Sequence, residues 1–452
     1  MKKSIARRVG AGVLSGFMLV NAAFPVWADS DDGPYTVPKA EDTRTKNTAQ
    51  YSEAQLKDNV VDYGEIEFLV KYYNNTVISN RYTYNSLRNS FEDAESEGAY
   101  SSPSGGFSDS DKASDEALEE INKGIKAYQN QIKDLNKSLS EITSEAEKQS
   151  VKNQIEVLNN TVAALNTQKA SLLTVSEVNT AMSDMMSSMA NGSGMTADDL
   201  RNYYLQFAEV ESTLVKTAQS MYPTYYQLIY NLDQLNANLA VAETAYQGTL
   251  VQKELGMCTD NDVADALYNV TSIKSSISNL ENQVVSLKQE FCKLVGKNFN
   301  DDVTFGELPE IDYEYISSIN LYQDIEVALA NNYTVQSKQN AIKNYGPGTS
   351  YEARNSDAFA LTAERENVRT EVNKAYLDIQ TAQSDLTLAK EKLANAERTM
   401  KQAEEKYNLG LISKLEYEQQ KVSYVAEETA CKTAESKLLD AVNAYKWSLK
   451  GL

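Results

Sequence analysis

The chain has 452 residues and no histidine. That excludes a Ser-His-Asp triad, a Cys-His pair and His-ligated zinc or haem. Carboxylates, thiols and hydroxyls remain. Paired acids such as Glu119–Glu120 and Glu427–Glu428 could hydrolyse as acid and base, but in helical sequence they read as solvated faces. Asp260, Asp262 and Asp265 could form a cation-attracting ring around an oligomer axis, or cap a helix start. The latter is the commoner use. Cys258, Cys292 and Cys431 allow at most one bridge within the chain. The last two fall in apolar helix patterns and read as small buried hydrophobes. Met182, Met185, Met186, Met189 and Met195 could line a soft-metal path, though irregular helix packing is the preferred reading. There is no Walker loop, Gly-rich dinucleotide turn, Cys-x-x-Cys or EF-hand. The reading is therefore a non-enzyme with no catalytic residue, cofactor or metal site. Its 64 acids against 43 bases, a net charge of -21, exclude nucleic acid.

Two short segments stand out instead. Leu255-Gly256-Met257-Cys258-Thr259 and Leu409-Gly410-Leu411-Ile412-Ser413 lie 154 residues apart. Each sets large apolar residues around a glycine and ends in a hydroxyl. Asp262 and Glu416 follow the hydroxyls by three, and Ser413 with Glu416 reads as a capping box. Glycine admits a tight turn, and an apolar residue beside a hydroxyl suits a small docking site. The bland alternative is that Leu-Gly-Leu simply ends a helix.

Long helices must position these segments. Only seven prolines and 19 glycines interrupt the chain. Val372, Ile379, Leu386, Leu393, Met400 and Tyr407 recur every seven residues, with Ala375, Ala382, Ala389, Ala396 and Ala403 three residues after the first five. Large knobs into alanine holes predict a close coiled-coil partner. The helix runs from about Ala360 to Asn408, roughly 75 Å at 1.5 Å per residue. A short tip makes the next helix, to about Leu449, its antiparallel neighbour. A shift of 154 superimposes an earlier hairpin: Leu232, Leu239 and Ala242 on Leu386, Leu393 and Ala396, and Leu280, Val284 and Leu287 on Ala434, Leu438 and Ala441. The stretch Tyr63 to Val77 resembles Tyr322 to Val335 with one residue slipped. Two tandem units follow. Pro223 alone interrupts helical sequence, as a kink or a new first turn.

Between the units' parts lies an insertion. Leu118, Ile121, Ile125, Tyr128, Ile132, Leu135, Leu139 and Ile142 form one heptad seam. Val151, Ile155, Leu158, Val162, Leu165 and Leu172 form another. They predict a coiled-coil hairpin, read as a self-packed arm or, alternatively, a tunnel extension or cell-wall handle. At the other end Lys2, Lys3, Arg7 and Arg8 precede an apolar run, and Val26-Trp27-Ala28 fits a cleavage site. Removing those bases takes the net charge to -25. The expected divisions are 1–28 signal peptide, 29–56 disordered, 57–111 opening helix and loop, 112–195 inserted hairpin, 196–300 first long hairpin, 301–316 linker and 317–452 second repeat. No mature stretch is apolar enough for a spanning helix.

The plan resembles the TolC-like outer membrane efflux family over about 57–100 and 197–452. The opening Ala328-x-x-Asn331-Asn332-Tyr333-x-Val335 and both tips carry the likeness. The resemblance implies a protomer of two tandem coiled-coil hairpins, part of an α-barrel tunnel; the residues themselves predict an all-α chain with little or no β. The resemblance implies a homotrimer at the outer membrane or cell envelope. It also implies an adaptor of the membrane-fusion type and an ABC-type or other pump that drives export. Leu255, Gly256, Met257, Thr259, Leu409, Gly410, Leu411 and Ser413 would be the adaptor contacts. One departure is plain. Family members carry membrane-spanning strand pairs, each strand ~9–11 residues of alternating character, and neither 100–111 nor 344–357 shows them. The alternative function is a non-conducting coiled-coil protein of the envelope.

Overall fold

A computed structural model describes residues 58–97, 108–139, 197–298, 301–343 and 348–452, with Tyr51, Leu56, Tyr345 and scattered positions between 148 and 173. The signal segment, the methionine cluster, Ile142, Leu172 and most of 100–111 lie outside these residues.

The described chain is almost entirely helical. A 3-10 turn at Tyr63–Glu65 leads into α1 (Ile66–Tyr73) and α2 (Asn75–Glu97). The inserted α3 spans Ser108–Leu139. The first long hairpin is α4 (Ala197–Glu254) and α5 (Asp260–Leu294). Short helices α6 (Tyr313–Ser318), α7 (Leu321–Asn331) and α8 (Tyr333–Lys343) open the second unit. Its long hairpin is α9 (Tyr351–Asn408) and α10 (Lys414–Leu449). α5 packs on α4, α4 on α10 and α10 on α9, so four long helices lie side by side. α1 and α2 lean on α4, and α7 leans on α9 and α10. The all-α reading with two tandem hairpins holds.

The alanine-lined seam forms as its spacing requires. Val372, Ile379 and Leu386 are buried, with Ala389 and Ala403 beside them. All of these but Ala403 join Cys431, Ala434, Leu438, Val442 and Tyr445 of α10 in one core. Burial thins toward the tip, where Tyr407 is already exposed. Two expectations need correcting. α9 begins at Tyr351, capped by the Ser350 hydroxyl accepting from the Ala353 amide at 3.1 Å. Its first turns were illegible because Tyr351 and Phe359 face solvent and break the apolar period. Of the two readings of Pro223, the new first turn is the one that fails, since Pro223 sits buried within 58 continuous helical residues. Fully buried Tyr222, with Met221 largely buried beside it, anchors that turn in the core, which outweighs the loss of one backbone bond.

Among the described residues strands are limited to a stitch. β1 (Val60–Val61) pairs in parallel with β2 (Thr304–Phe305), the Thr304 amide donating to the Asn59 carbonyl at 2.7 Å. Phe305 stacks on Tyr225 at 4.2 Å, and the Tyr222 hydroxyl donates to the Val61 carbonyl at 3.1 Å. Tyr51 and Leu56, within the segment read as disordered, also reach this core: Leu56 is buried and the Tyr51 hydroxyl donates to the Gly64 carbonyl. Only seven residues connect α8 to α9, too few for even one membrane-spanning strand of ~9–11.

Each unit is closed by asparagine. The Asn74 amide donates to the Leu294 carbonyl at 2.9 Å while its oxygen accepts from Thr76 and Val77. In the second unit Asn331 donates to the Leu449 carbonyl at 2.8 Å and Asn332 to the Gly451 carbonyl at 3.3 Å; Asn332 also caps Val335. One side chain thus starts a helix and satisfies the last carbonyls of the hairpin beside it. In the insertion Leu118 and Ile121 are buried, and Leu165 lies 3.7 Å from where a Cβ on Gly124 would stand, so the two runs pack on each other there.

Candidate functional site

The two tips are built alike, bond for bond. α4 ends in a turn where the Gly256 amide donates to the Lys253 carbonyl at 2.9 Å and the Met257 amide to Gln252 at 2.8 Å. In the second tip Gly410 donates to Tyr407 at 2.9 Å and Leu411 to Lys406 at 2.8 Å. This pair of bonds is the Schellman closure, which satisfies orphan carbonyls at a helix end. It places each glycine at φ of 70°, where a side chain collides with its own backbone. Glycine is required by conformation and not by crowding, since a Cβ at either position would meet nothing within 4 Å.

The next helix starts from a capping box. The Asp262 amide donates to the Thr259 hydroxyl oxygen at 3.3 Å, and the Thr259 amide and hydroxyl both donate to the Asp262 carboxylate at 2.7 Å. Ser413 and Glu416 repeat this at 3.2, 2.8 and 2.9 Å. Hydrogen bonds from Thr259 and Ser413 hold both carboxyls below their ordinary range. Thr259 and Ser413, expected as contacts, each have the hydroxyl proton and one acceptor site engaged within their own turn.

What the tips offer outward is apolar. Leu255 is 68% exposed and Met257 73%; Leu409 is 73% and Leu411 69%. Closure and cap leave only four residues to turn through, and the C-cap and the residue after glycine must point away from both helices. Beneath them the tips differ. Tyr407 stacks on Tyr417 at 4.7 Å in the second tip. In the first, Lys253 pairs with Asp260 at 2.5 Å, and half-buried Cys258 donates to the Thr249 carbonyl at 3.3 Å. The pairings beneath were not read from the sequence, although Tyr407 and Tyr417 stand symmetrically about the turn. Asp260 and Asp262 are thus engaged in an ion pair and a cap. Among the described residues no group of His, Cys, Asp or Glu could hold a metal ion, and all three cysteines are free, with burial raising the Cys292 and Cys431 thiols. No described helix is long and apolar enough to cross a membrane.

One carboxylate elsewhere is unusual. Asp440 on α10 keeps some accessible surface, yet burial pushes its pKa up to about 8, and no cation pairs with it among the described residues. Its charge also raises the nearby Tyr63 phenol, after burial has done most.

Residues 350–446, the span of α9 and nearly all of α10, match the family described as Outer membrane efflux protein. The second hairpin therefore bears the resemblance its tip suggested. No curated protein matches the chain. Among solved structures, CusC is 15% identical, with 71% of this chain and 96% of that chain covered and a TM-score of 0.45. VceC from Vibrio cholerae is 14% identical, covering 56% and 74%, with a TM-score of 0.40. The CmeC outer membrane channel of Campylobacter jejuni is 11% identical, covering 62% and 68%, with a TM-score of 0.39.

Proposed function

We propose that this chain, whose second hairpin matches the family of outer membrane efflux proteins, is a subunit of a helical efflux conduit in the cell envelope. The observation that carries the reading is the pair of matching tips: four large apolar side chains, held outward by closed turns, at the ends of long hairpins. Several such chains, three by resemblance, would enclose a passive tunnel. The tips would seat on an adaptor of the membrane-fusion type, and an ABC-type or other pump would supply the energy. Leu255, Met257, Leu409 and Leu411 make the contacts; Gly256, Gly410, Thr259 and Ser413 set the geometry that presents them.

The seven-residue connection between α8 and α9 supports a conduit whose far end differs from a strand-built barrel, because the second unit has no room there for a strand pair. It equally supports the alternative of a non-conducting coiled-coil protein of the envelope. Oligomeric mass and conductance separate the two. A trimer that conducts ions across a bilayer or between compartments supports the conduit. A monomer, in solution and in the envelope, overturns it.

A further inference from the structure

Among the described residues six buried side-chain atoms lack a hydrogen-bond partner, and five of them lie on two neighbouring helices. Asn80 Nδ2, Arg81 Nη1, Asn85 Oδ1 and Arg88 Nε are on α2, and Gln206 Oε1 is on α4. α2 packs against α1 and α4. Its antiparallel register on α4 is set by Arg81 with Glu211 at 2.6 Å and by Tyr84 with Tyr204 and Phe207, ring centres 5.6 and 5.9 Å apart. Arg81, Tyr84 and Arg88 follow i, i+3 and i+7 spacing and share the face turned to α4. Asn80 and Arg81 are only 5% and 9% exposed, and the unpaired atoms themselves are buried.

A buried donor or acceptor without a partner has given up its water and gained nothing, which disfavours the closed state relative to an opened one. Against this stand the Arg81–Glu211 pair, Val77 at the start of α2 in the main core, and a separate patch of four side chains: Tyr84, Leu87, Leu200 and Phe207. The α9–α10 seam buries many more and strands none of its polar atoms among the described residues.

We propose that α2 is a releasable strap. It lifts from α4 as a unit, its stranded polar atoms taking up water, while the two long hairpins stay closed. Because the coiled-coil arm begins at Ser108, shortly after α2 ends at Glu97, release gives the arm freedom without disturbing the hairpin wall. The inference holds whether or not the chain forms a conduit.

Hydrogen exchange of the full chain, read by mass spectrometry, tests it. Peptides of α2 should exchange at least roughly tenfold faster than those of α10. Replacing three stranded amides together, Asn80→Leu, Asn85→Leu and Gln206→Leu, should slow α2 by about tenfold and leave α10 unchanged. Arg81→Met, which removes the ion pair, should speed α2 alone. Protection in α2 equal to that in α10 overturns the proposal, as does a leucine variant that folds with unchanged α2 exchange. Arg81→Met speeding α2 and α10 equally would also overturn it, since α2 would then open only with the whole fold.

Discussion

The double substitution Leu409→Ser and Leu411→Ser separates docking from folding. Burying a fully exposed leucine is worth about 1.5–3 kcal/mol. Both side chains are about 70% exposed in the free chain, so a socket that covered them would gain about 1–2 kcal/mol from each. The double variant should therefore weaken adaptor binding by about 2–4 kcal/mol per engaged tip, roughly thirtyfold to several hundredfold in Kd. Stability should move by no more than about 0.5 kcal/mol, because neither side chain belongs to the core. The assay is titration of an immobilised adaptor with parent and variant, alongside thermal melts of each. Gly410→Ala is the companion. It keeps both leucines and clashes with nothing, but strains a backbone at φ of 70° by about 1–2 kcal/mol, so it should weaken binding by reorienting the tip. An adaptor affinity within threefold of the parent for the double variant would refute the docking role. A large loss of melting temperature would show that the leucines are structural after all.

Other outcomes follow from the core and the charges. Ile379→Ala, at a fully buried knob of the α9 seam, should cost about 2–5 kcal/mol in urea unfolding; a change under about 1 would mean the seam does not hold the hairpin. Asp440 has a folded pKa of about 8, above the ordinary aspartate value, so the folded state holds its proton longer than the unfolded. The penalty is absent below about pH 4, grows between about pH 4 and 8, and is complete above. Asp440→Asn should thus stabilise the protein by on the order of 3–5 kcal/mol at pH 8 and much less at pH 5; equal melting shifts at both pH values would contradict this. Asp262 and Glu416 have the opposite sign. Their caps are present above about pH 4 and weaken as pH falls through their depressed pKa values, so amides in the first turns of α5 and α10 should lose protection, relative to their intrinsic exchange rates, in acid. Ser413→Ala should abolish that pH dependence for α10.

Much of the hairpin plan was legible because its signals are local and periodic. The large-alanine alternation from Val372 to Ala403 repeats every seven residues, and Gly410 with Ser413 and Glu416 spells a closure and a cap within eight residues. The duplicate at Gly256 confirmed the register. What escaped has partners far away or no period at all. Nothing around Val60 announces Thr304. Asn74, Asn331 and Asn332 were noticed as a repeated opening, but their clamp on Leu294, Leu449 and Gly451 needs carbonyls more than a hundred residues on. The first turns of α9 were missed because Tyr351 and Phe359 face outward. At the tips the turn and the Ser413 cap are local signals, whereas the pairs beneath them, Lys253 with Asp260 and Tyr407 with Tyr417, form only once the turn is folded.

The stitch between Val60–Val61 and Thr304–Phe305 also dictates an order of events. Its two halves lie 244 positions apart, whereas the α4–α5 hairpin closes on itself through a five-residue turn. Local closure carries far less entropy loss than joining distant segments. A chain emerging N-terminus first, from a ribosome or a secretion channel, therefore presents β1 as an unmatched edge while the first hairpin zips. That edge, with Leu56 and Ile66 beside it, waits for Phe305 to arrive. Until then Val61, Leu56 and Ile66 lack the partner that buries them and are open to association with other chains.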